Sequence, residues 1–404
     1  MKQAVMYGGG NIGRGFIGAL LSQSGYEVTF IDVAEPVVNA LREKHEYPVR
    51  YVSSAGHEDV IIRNVTAVNG NDAEAASEVI ANCDIMATAV GARILKFIIG
   101  NIVAGLRKRR ARTDKPLNII ICENLMDANL IVEKMLKEQL TEEECKLFDE
   151  RVGLVEASIG RMVPVQTDEM KDGDPMRVCV ERYGFLPTDK AAFKGEIPDI
   201  KNMVPFAPFD FYIKRKLYIH NMGHATCAYL GDLLGLEYIY QSIDVPEVRI
   251  VVQNAMIESA MALHKKYDVA LDGILMHITD LLHRFTNAAL KDTCKRVGGD
   301  PARKLGAADR LIGSSLLCLE MGVTPAYIAV GAAGAVYRYL NETGTEQSYD
   351  AAKQVLREVS GLPDEHTLLK MIMQIYDLYL EGETVAAMRR YAQRVKTAGM
   401  HDVI

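Results

Sequence analysis

Between Lys214 and Tyr229 the chain reads K-R-K-L-Y-I-H-N-M-G-H-A-T-C-A-Y, without proline, and Ile219, Met222, Ala225, Tyr229 and Leu230 recur at roughly helical spacing. That pattern predicts an amphipathic helix. Turned through about 100° per residue, Lys216, His220, His224 and Asn221 fall at about 0°, 40°, 80° and 140°, opposite Tyr218, Ile219, Met222 and Leu230. A solvated helix face usually interleaves carboxylates with its lysines, yet no Asp or Glu occurs from Lys214 to Leu230. A cation, two imidazoles and an amide without a carboxylate suit an oxygen-rich or anionic ligand. His220 and His224 also have the four-residue spacing of paired metal ligands, but no Glu follows His220 and no third ligand is evident nearby, so no metal is expected.

A second constellation opens the chain. Ala4 to Tyr7 reads as a buried strand running into Gly8-Gly9-Gly10-Asn11-Ile12-Gly13-Arg14-Gly15, then a helix through Phe16, Leu20 and Leu21. Glu27 to Ile31 reads as a second strand ending in Asp32, nineteen residues after Gly13. In that context G-x-G-x-x-G is a dinucleotide fingerprint. Gly8 permits the tight turn, Gly10 lets a pyrophosphate approach the backbone, and Gly13 lets helix pack on strand. The N–H groups at the helix start, around Asn11 and Ile12, would receive the anion. Asp32 suits a ribose hydroxyl and repels a 2′-phosphate, and no Arg follows in Val33-Ala34-Glu35-Pro36, so NAD is expected rather than NADP.

These residues need a scaffold, and the pattern supplies one. Asp59 to Val68 is strand-like, Ala73 to Ile80 helical, Cys83 to Val90 a buried strand, Ile94 to Leu106 a helix, and Leu117 to Cys122 a strand ending in Glu123-Asn124. Ligands bind outside the carboxyl ends of strands in a doubly wound sheet, which puts Thr88, Val90 and Asn124 beside the cofactor. Asn124 could equally be a helix N-cap. Six of the chain's thirteen prolines lie between Pro164 and Pro208, marking a junction with a strand near 177–183. Beyond Phe209 the periodicity is helical, with segments near 247–266, 271–284, 307–320, 326–341, 348–359, 365–381 and 384–397. The expected architecture is an α/β Rossmann-like domain with a mostly parallel sheet over 1–200 and an all-α substrate domain over 201–404.

With 404 residues, 49% hydrophobic and 25% charged, the chain has the make-up of a two-domain globular protein. A net charge of −7 argues against a nucleic-acid binder. Seven widely spaced cysteines and no signal-peptide pattern point to free thiols in the cytoplasm. The longest uncharged run, Met321 to Tyr337, starts with Thr324-Pro325 as N-cap and first-turn proline, and reads as a buried helix rather than a membrane span.

Lys216, four residues, Asn221, two residues, His224 matches the K-x4-N-x2-H signature of the polyol-specific long-chain dehydrogenases and reductases. G-G-G-N-I-G-R-G-F-I-G at the start, A-T-A-V-G at 87–91, N-I-I-I-C-E-N at 118–124, R-K-L-Y-I-H-N-M-G-H-A at 215–225 and R-K-L-G-A-A-D-R-L at 303–311 also resemble that family. The resemblance implies metal-independent, NAD-linked interconversion of mannitol 1-phosphate and fructose 6-phosphate. Lys216 would be the general base, Asn124 and Asn221 the amides that hold the reacting oxygen, and His224 the orienting histidine. The family often has Asp before Arg in a V-D-R segment, whereas Gly160 precedes Arg161 here. A neutral lysine can take the alcohol proton if burial and nearby cations lower its pKa from about 10.4.

The stretch Lys291 to Arg310 concentrates basic residues in an acidic chain, and Arg296, Arg303, Lys304 and Arg310 are the expected phosphate ligands, with Arg303 and Lys304 foremost. Other readings are a mannitol, fructose, tagaturonate or fructuronate reductase, a short-chain enzyme using Tyr212-x3-Lys216, or an idle NAD-binding sensor. Expected partners are a sugar phosphate, with no nucleic acid and no membrane, in a monomer or small homo-oligomer.

Overall fold

A computed structural model describes residues 1–125 and 127–398, which divide into two units, Met1–Asp210 and Phe211 onward. The first is built on six parallel strands. In chain order they are Lys2–Tyr7, Tyr26–Asp32, Val65–Asn69, Ile85–Thr88, Leu117–Ile121 and Val152–Glu156. In space they run third, second, first, fourth, fifth, sixth, the doubly wound order that reverses beside the first strand. Burial on both faces explains the apolar strands: Ala4, Met6, Val28 and Phe30 enter one core, while Val5, Tyr7, Ile31 and Met86 enter the other.

The strand-like reading of 59–68 needs correcting. Asn64 adopts a left-handed φ of 57° and splits the segment. Gly56–Arg63 pairs antiparallel with Glu46–Ser53 in a separate three-stranded sheet completed by Val178–Val180, and only Val65–Asn69 joins the main sheet. The last parallel strand, Val152–Glu156, was not anticipated.

The second unit is helical around one axis. Asp210–Arg215 is α-helical, Lys216–Asn221 is a π segment, and Met222–Leu233 returns to α geometry, with Arg215, Asn221 and Met222 all right-handed. The chain therefore runs as one helix with a widened turn in its middle. Met222, Ala225, Cys227, Ala228 and Leu230 are fully buried there. Crossing helices come close because small residues meet them: a Cβ on Gly331, in helix Ala326–Thr343, would stand 2.2 Å from Thr226 Oγ1. That crossing helix corrects another expectation, since Pro325 itself occupies the cap and Thr324 supplies none. The buried carboxylate of Glu258 accepts the Tyr327 and Ile328 N–H groups at 3.1 Å instead. The expected helix at 307–320 begins at Ile312, after a turn. Among the described residues no helix is long and apolar enough to cross a membrane.

Candidate functional site

In the first unit the glycine-rich turn is fixed by close backbone contacts. Gly8 has φ 104°, and a Cβ there would lie 2.5 Å from the Ala89 carbonyl oxygen; a Cβ on Gly13 would lie 1.9 Å from that of Gly8. Gly10 differs, because nothing lies within 4 Å of its Cβ position. The exposed Gly10 and Asn11, with Ile12 half-buried, leave a cradle open to an anion at the start of the helix. The following turn is a π segment, Gly13–Ile17. Arg14 ties it down, donating from Nε to the Gly9 carbonyl at 2.6 Å and from a terminal nitrogen to Met176 O at 2.5 Å.

Asp32 accepts from Gly9 N at 2.5 Å and Ala34 N at 2.9 Å, so its carboxylate closes the turn and keeps acceptor capacity for a ribose. Thr88 is fully buried at the carboxyl end of its strand, and its hydroxyl lacks a hydrogen-bond partner among the described residues. The Val90 N–H is committed: it donates to Glu123 Oε1 at 3.0 Å while Gly91 N donates to Oε2 at 2.8 Å. Any contact from Val90 to a ligand must therefore use its other atoms. Asn124 is exposed after the Leu117–Ile121 strand, and the N-cap position of the next helix falls at Asp127, which makes no side-chain cap bond, so Asn124 is not that helix's N-cap. Sequence reasoning did not single out Glu123, which holds the Val90 and Gly91 amides; its position beside Asn124 was the available signal.

In the second unit the π segment presents Lys216 at its first position and Asn221 at its last, with His224 one turn on. Burial, reinforced by Arg310, lowers Lys216 to about 8. His220 is buried and held well below its ordinary pKa by burial, then by Arg284, His224, His277 and Lys216. The His224 ring stacks on Phe285 at 4.7 Å and 19°, and its Nε2 lies 3.2 Å from Asp292 Oδ2, close in charge terms but short of hydrogen-bond alignment. Among the described residues no group of three His, Cys, Asp or Glu side chains is arranged to hold a metal ion. Tyr212 packs edge-on to Phe211 under the Arg215 guanidinium, and burial raises its phenol despite that cation. A short-chain mechanism requires the reverse shift.

The four basic residues singled out by sequence have different surroundings. Arg296 is ion-paired with Asp292, the residue that touches His224. Arg303 is exposed and bonded to Asp300 at 2.7 Å, with Asp309 at 3.4 Å. Arg310 is more enclosed and bonds Asp309 at 2.7 Å, yet its charge reaches both Lys216 and Lys304. Lys304 is buried at 4% exposure, and burial, then Arg310 and Arg303, lower it to about 8. Leu305 is fully buried beside it, so the segment is anchored as expected. Arg310 is thus the charge that acts on both Lys216 and Lys304.

Family models described as the mannitol dehydrogenase Rossmann domain and C-terminal domain match residues 2–202 and 209–396. A mannitol-1-phosphate 5-dehydrogenase of Bacillus licheniformis is 36% identical over 380 residues, covering 92% of this chain and 98% of that protein. Its Bacillus subtilis counterpart is 37% identical with the same coverage. Among solved structures, Pseudomonas fluorescens mannitol 2-dehydrogenase in ternary complex with NAD and D-mannitol superposes with a TM-score of 0.70 at 14% identity, covering 97% of this chain and 94% of that one. A substrate-free D-sorbitol dehydrogenase gives 0.72 at 14% identity, with 99% and 94% coverage. At that identity these two structures speak to the fold.

Proposed function

The chain belongs to the mannitol dehydrogenase family through both of its domains, and from that footing we propose that it interconverts D-mannitol 1-phosphate and D-fructose 6-phosphate with NAD. The observation that carries the reading is Lys216, lowered to about 8 on a helix that also carries Asn221 and His224, in a chain about 36% identical to a mannitol-1-phosphate 5-dehydrogenase over nearly its full length.

NAD, when bound, supplies the hydride acceptor or donor. Gly8, Gly10, Asn11, Ile12 and Gly13 would hold its pyrophosphate and Asp32 its adenosine ribose, with Thr88 and Val90 beside it; the open cradle at Gly10 fits that group. Lys216 in its neutral form takes the hydroxyl proton during alcohol oxidation, and its ammonium returns the proton during ketone reduction. Asn221 and Asn124 donate to the reacting oxygen as it gains alkoxide character, an effect worth about 3 kcal/mol per donor in comparable oxyanion sites. His224 orients the substrate hydroxyls. Lys304 and Arg310 are the phosphate ligands best supported by their surroundings; Arg303, tied to two aspartates, has a lesser part, and Arg296 serves through Asp292. We read the protein as cytoplasmic, acting on a small sugar phosphate as a monomer or small homo-oligomer.

The test is a panel of fructose 6-phosphate, fructose, tagaturonate and fructuronate, each with NADH and with NADPH, followed by absorbance. Fructose 6-phosphate with NADH should have the highest kcat/KM. Equal or higher efficiency with NADPH, or with unphosphorylated fructose, would sink the corresponding half of the assignment.

A further inference from the structure

We propose that Asp292 is a positioning residue that locks the tautomer of His224 and ties that imidazole to Arg296. Asp292 is nearly enclosed, with 9% of its side chain exposed, and its two oxygens are divided between two partners. Oδ2 lies 3.2 Å from His224 Nε2, and Oδ1 pairs with the Arg296 guanidinium. Its backbone is also held, since the carbonyl accepts from Ile239 N at 2.9 Å just before the short helix Cys294–Gly298. On its flat side the imidazole is stacked on Phe285, so the ring has little freedom to turn away. Burial alone would raise the Asp292 carboxyl, but His224 and Arg296 hold it below the usual carboxylate range, so it is ionised.

An ionised carboxylate only accepts hydrogen bonds, so the ring nitrogen facing it must carry the proton. His224 is then the Nε2–H tautomer, and the lone pair on Nδ1 is left to accept from a substrate hydroxyl. The Nε2 contact is not aligned as a hydrogen bond here, so the proposal requires the ring to turn in its plane over Phe285 until Nε2–H points at Oδ2. The same carboxylate holds Arg296, which is 59% exposed at its side chain, and orients that fork without touching substrate itself. This inference rests on the reading of His224 as a substrate-facing residue, and it adds the group that makes the imidazole an acceptor rather than a donor.

The experiment uses full-length enzyme saturated with NAD and carrying 15N-labelled histidine. Long-range proton–nitrogen correlations should show His224 protonated on Nε2. In Asp292→Asn the shape is kept but the new amide can donate, so the ring is free to move its proton to Nδ1. That variant should lose the Nε2–H signature and lower kcat for fructose 6-phosphate reduction by at least ~10²-fold, the direction seen when the analogous carboxylate of a catalytic triad is neutralised. NADH affinity should stay unchanged, and Asp292→Glu should recover part of the rate. An Nδ1–H signature in the unsubstituted enzyme, or an Asp292→Asn variant within about twofold of the original kcat, overturns the proposal. Lys216→Ala separates the two levels: if it is inactive while Asp292→Asn is active, only the tautomer assignment falls, and if it retains activity, the site reading and the proposal fall together.

Discussion

With Lys216 as the proposed general base, its amine should set the pH dependence, and the sign follows from which form works. With its amine near 8, oxidation of the alcohol needs the deprotonated form, so its rate should climb as pH rises through about 8; ketone reduction needs the ammonium and should fall over the same range. Lys216→Ala should lower kcat by at least ~10²-fold and flatten both limbs, with NADH affinity little changed. Arg310 contributes to the depression, so Arg310→Gln should move the oxidation limb to higher pH. Profiles of kcat/KM in each direction, which report the free enzyme, check this, and an unmoved limb in Arg310→Gln would show that its charge does not reach the amine. The types and spacing of Lys216, Asn221 and His224 were legible because all three lie on one helix. Asp292, 68 residues beyond His224, was not singled out, because nothing in a one-dimensional pattern says that a carboxylate from the basic stretch returns to the imidazole.

Elements were most legible where one face or both faces are uniformly buried, as in the parallel strands Lys2–Tyr7 and Leu117–Ile121 and in helices such as Leu271–Phe285. The two π segments were not, since a 100° wheel assumes α geometry and the turns at Gly13–Ile17 and Lys216–Asn221 are wider than that. Caps supplied from far along the chain are equally invisible. Glu258 satisfies the start of helix Ala326–Thr343 from a helix about seventy residues earlier, and Lys396 approaches the same carboxylate at 3.4 Å. Glu258→Ala should leave two buried N–H groups unpaired and cost about 2–4 kcal/mol, read as a lower urea midpoint. Glu258→Gln, which keeps an acceptor, should cost less; a midpoint unchanged in both would show that these amides have another partner. In the first unit, Glu123→Ala should loosen Val90 and Gly91 and raise KM for NADH several-fold, with folding checked by circular dichroism. An unchanged KM would separate that loop from the cofactor.

At the scale of the molecule, a chain of net charge −7 must bind a doubly charged substrate. On the proposed reading it would do so by confining cations: burial lowers Lys216 and Lys304 to about 8, and Arg310 presses on both. Such a site holds positive charge at a cost that an arriving anion relieves. The phosphate of fructose 6-phosphate is essentially dianionic at pH 8. Placed among these groups, it raises the pKa of each lysine, because opposite charge favours the protonated amine. At pH 8, where both amines are partly neutral, binding should therefore draw protons from solution, while fructose, with no charge, should draw far fewer. Calorimetry of the NAD-free enzyme in two buffers of different ionisation enthalpy measures that uptake directly. Lys304→Met should reduce the uptake and raise KM for fructose 6-phosphate more than for fructose. Equal proton uptake for the two sugars would mean that the phosphate does not sit beside these lysines, and the phosphate ligands would have to be sought elsewhere in the helical unit.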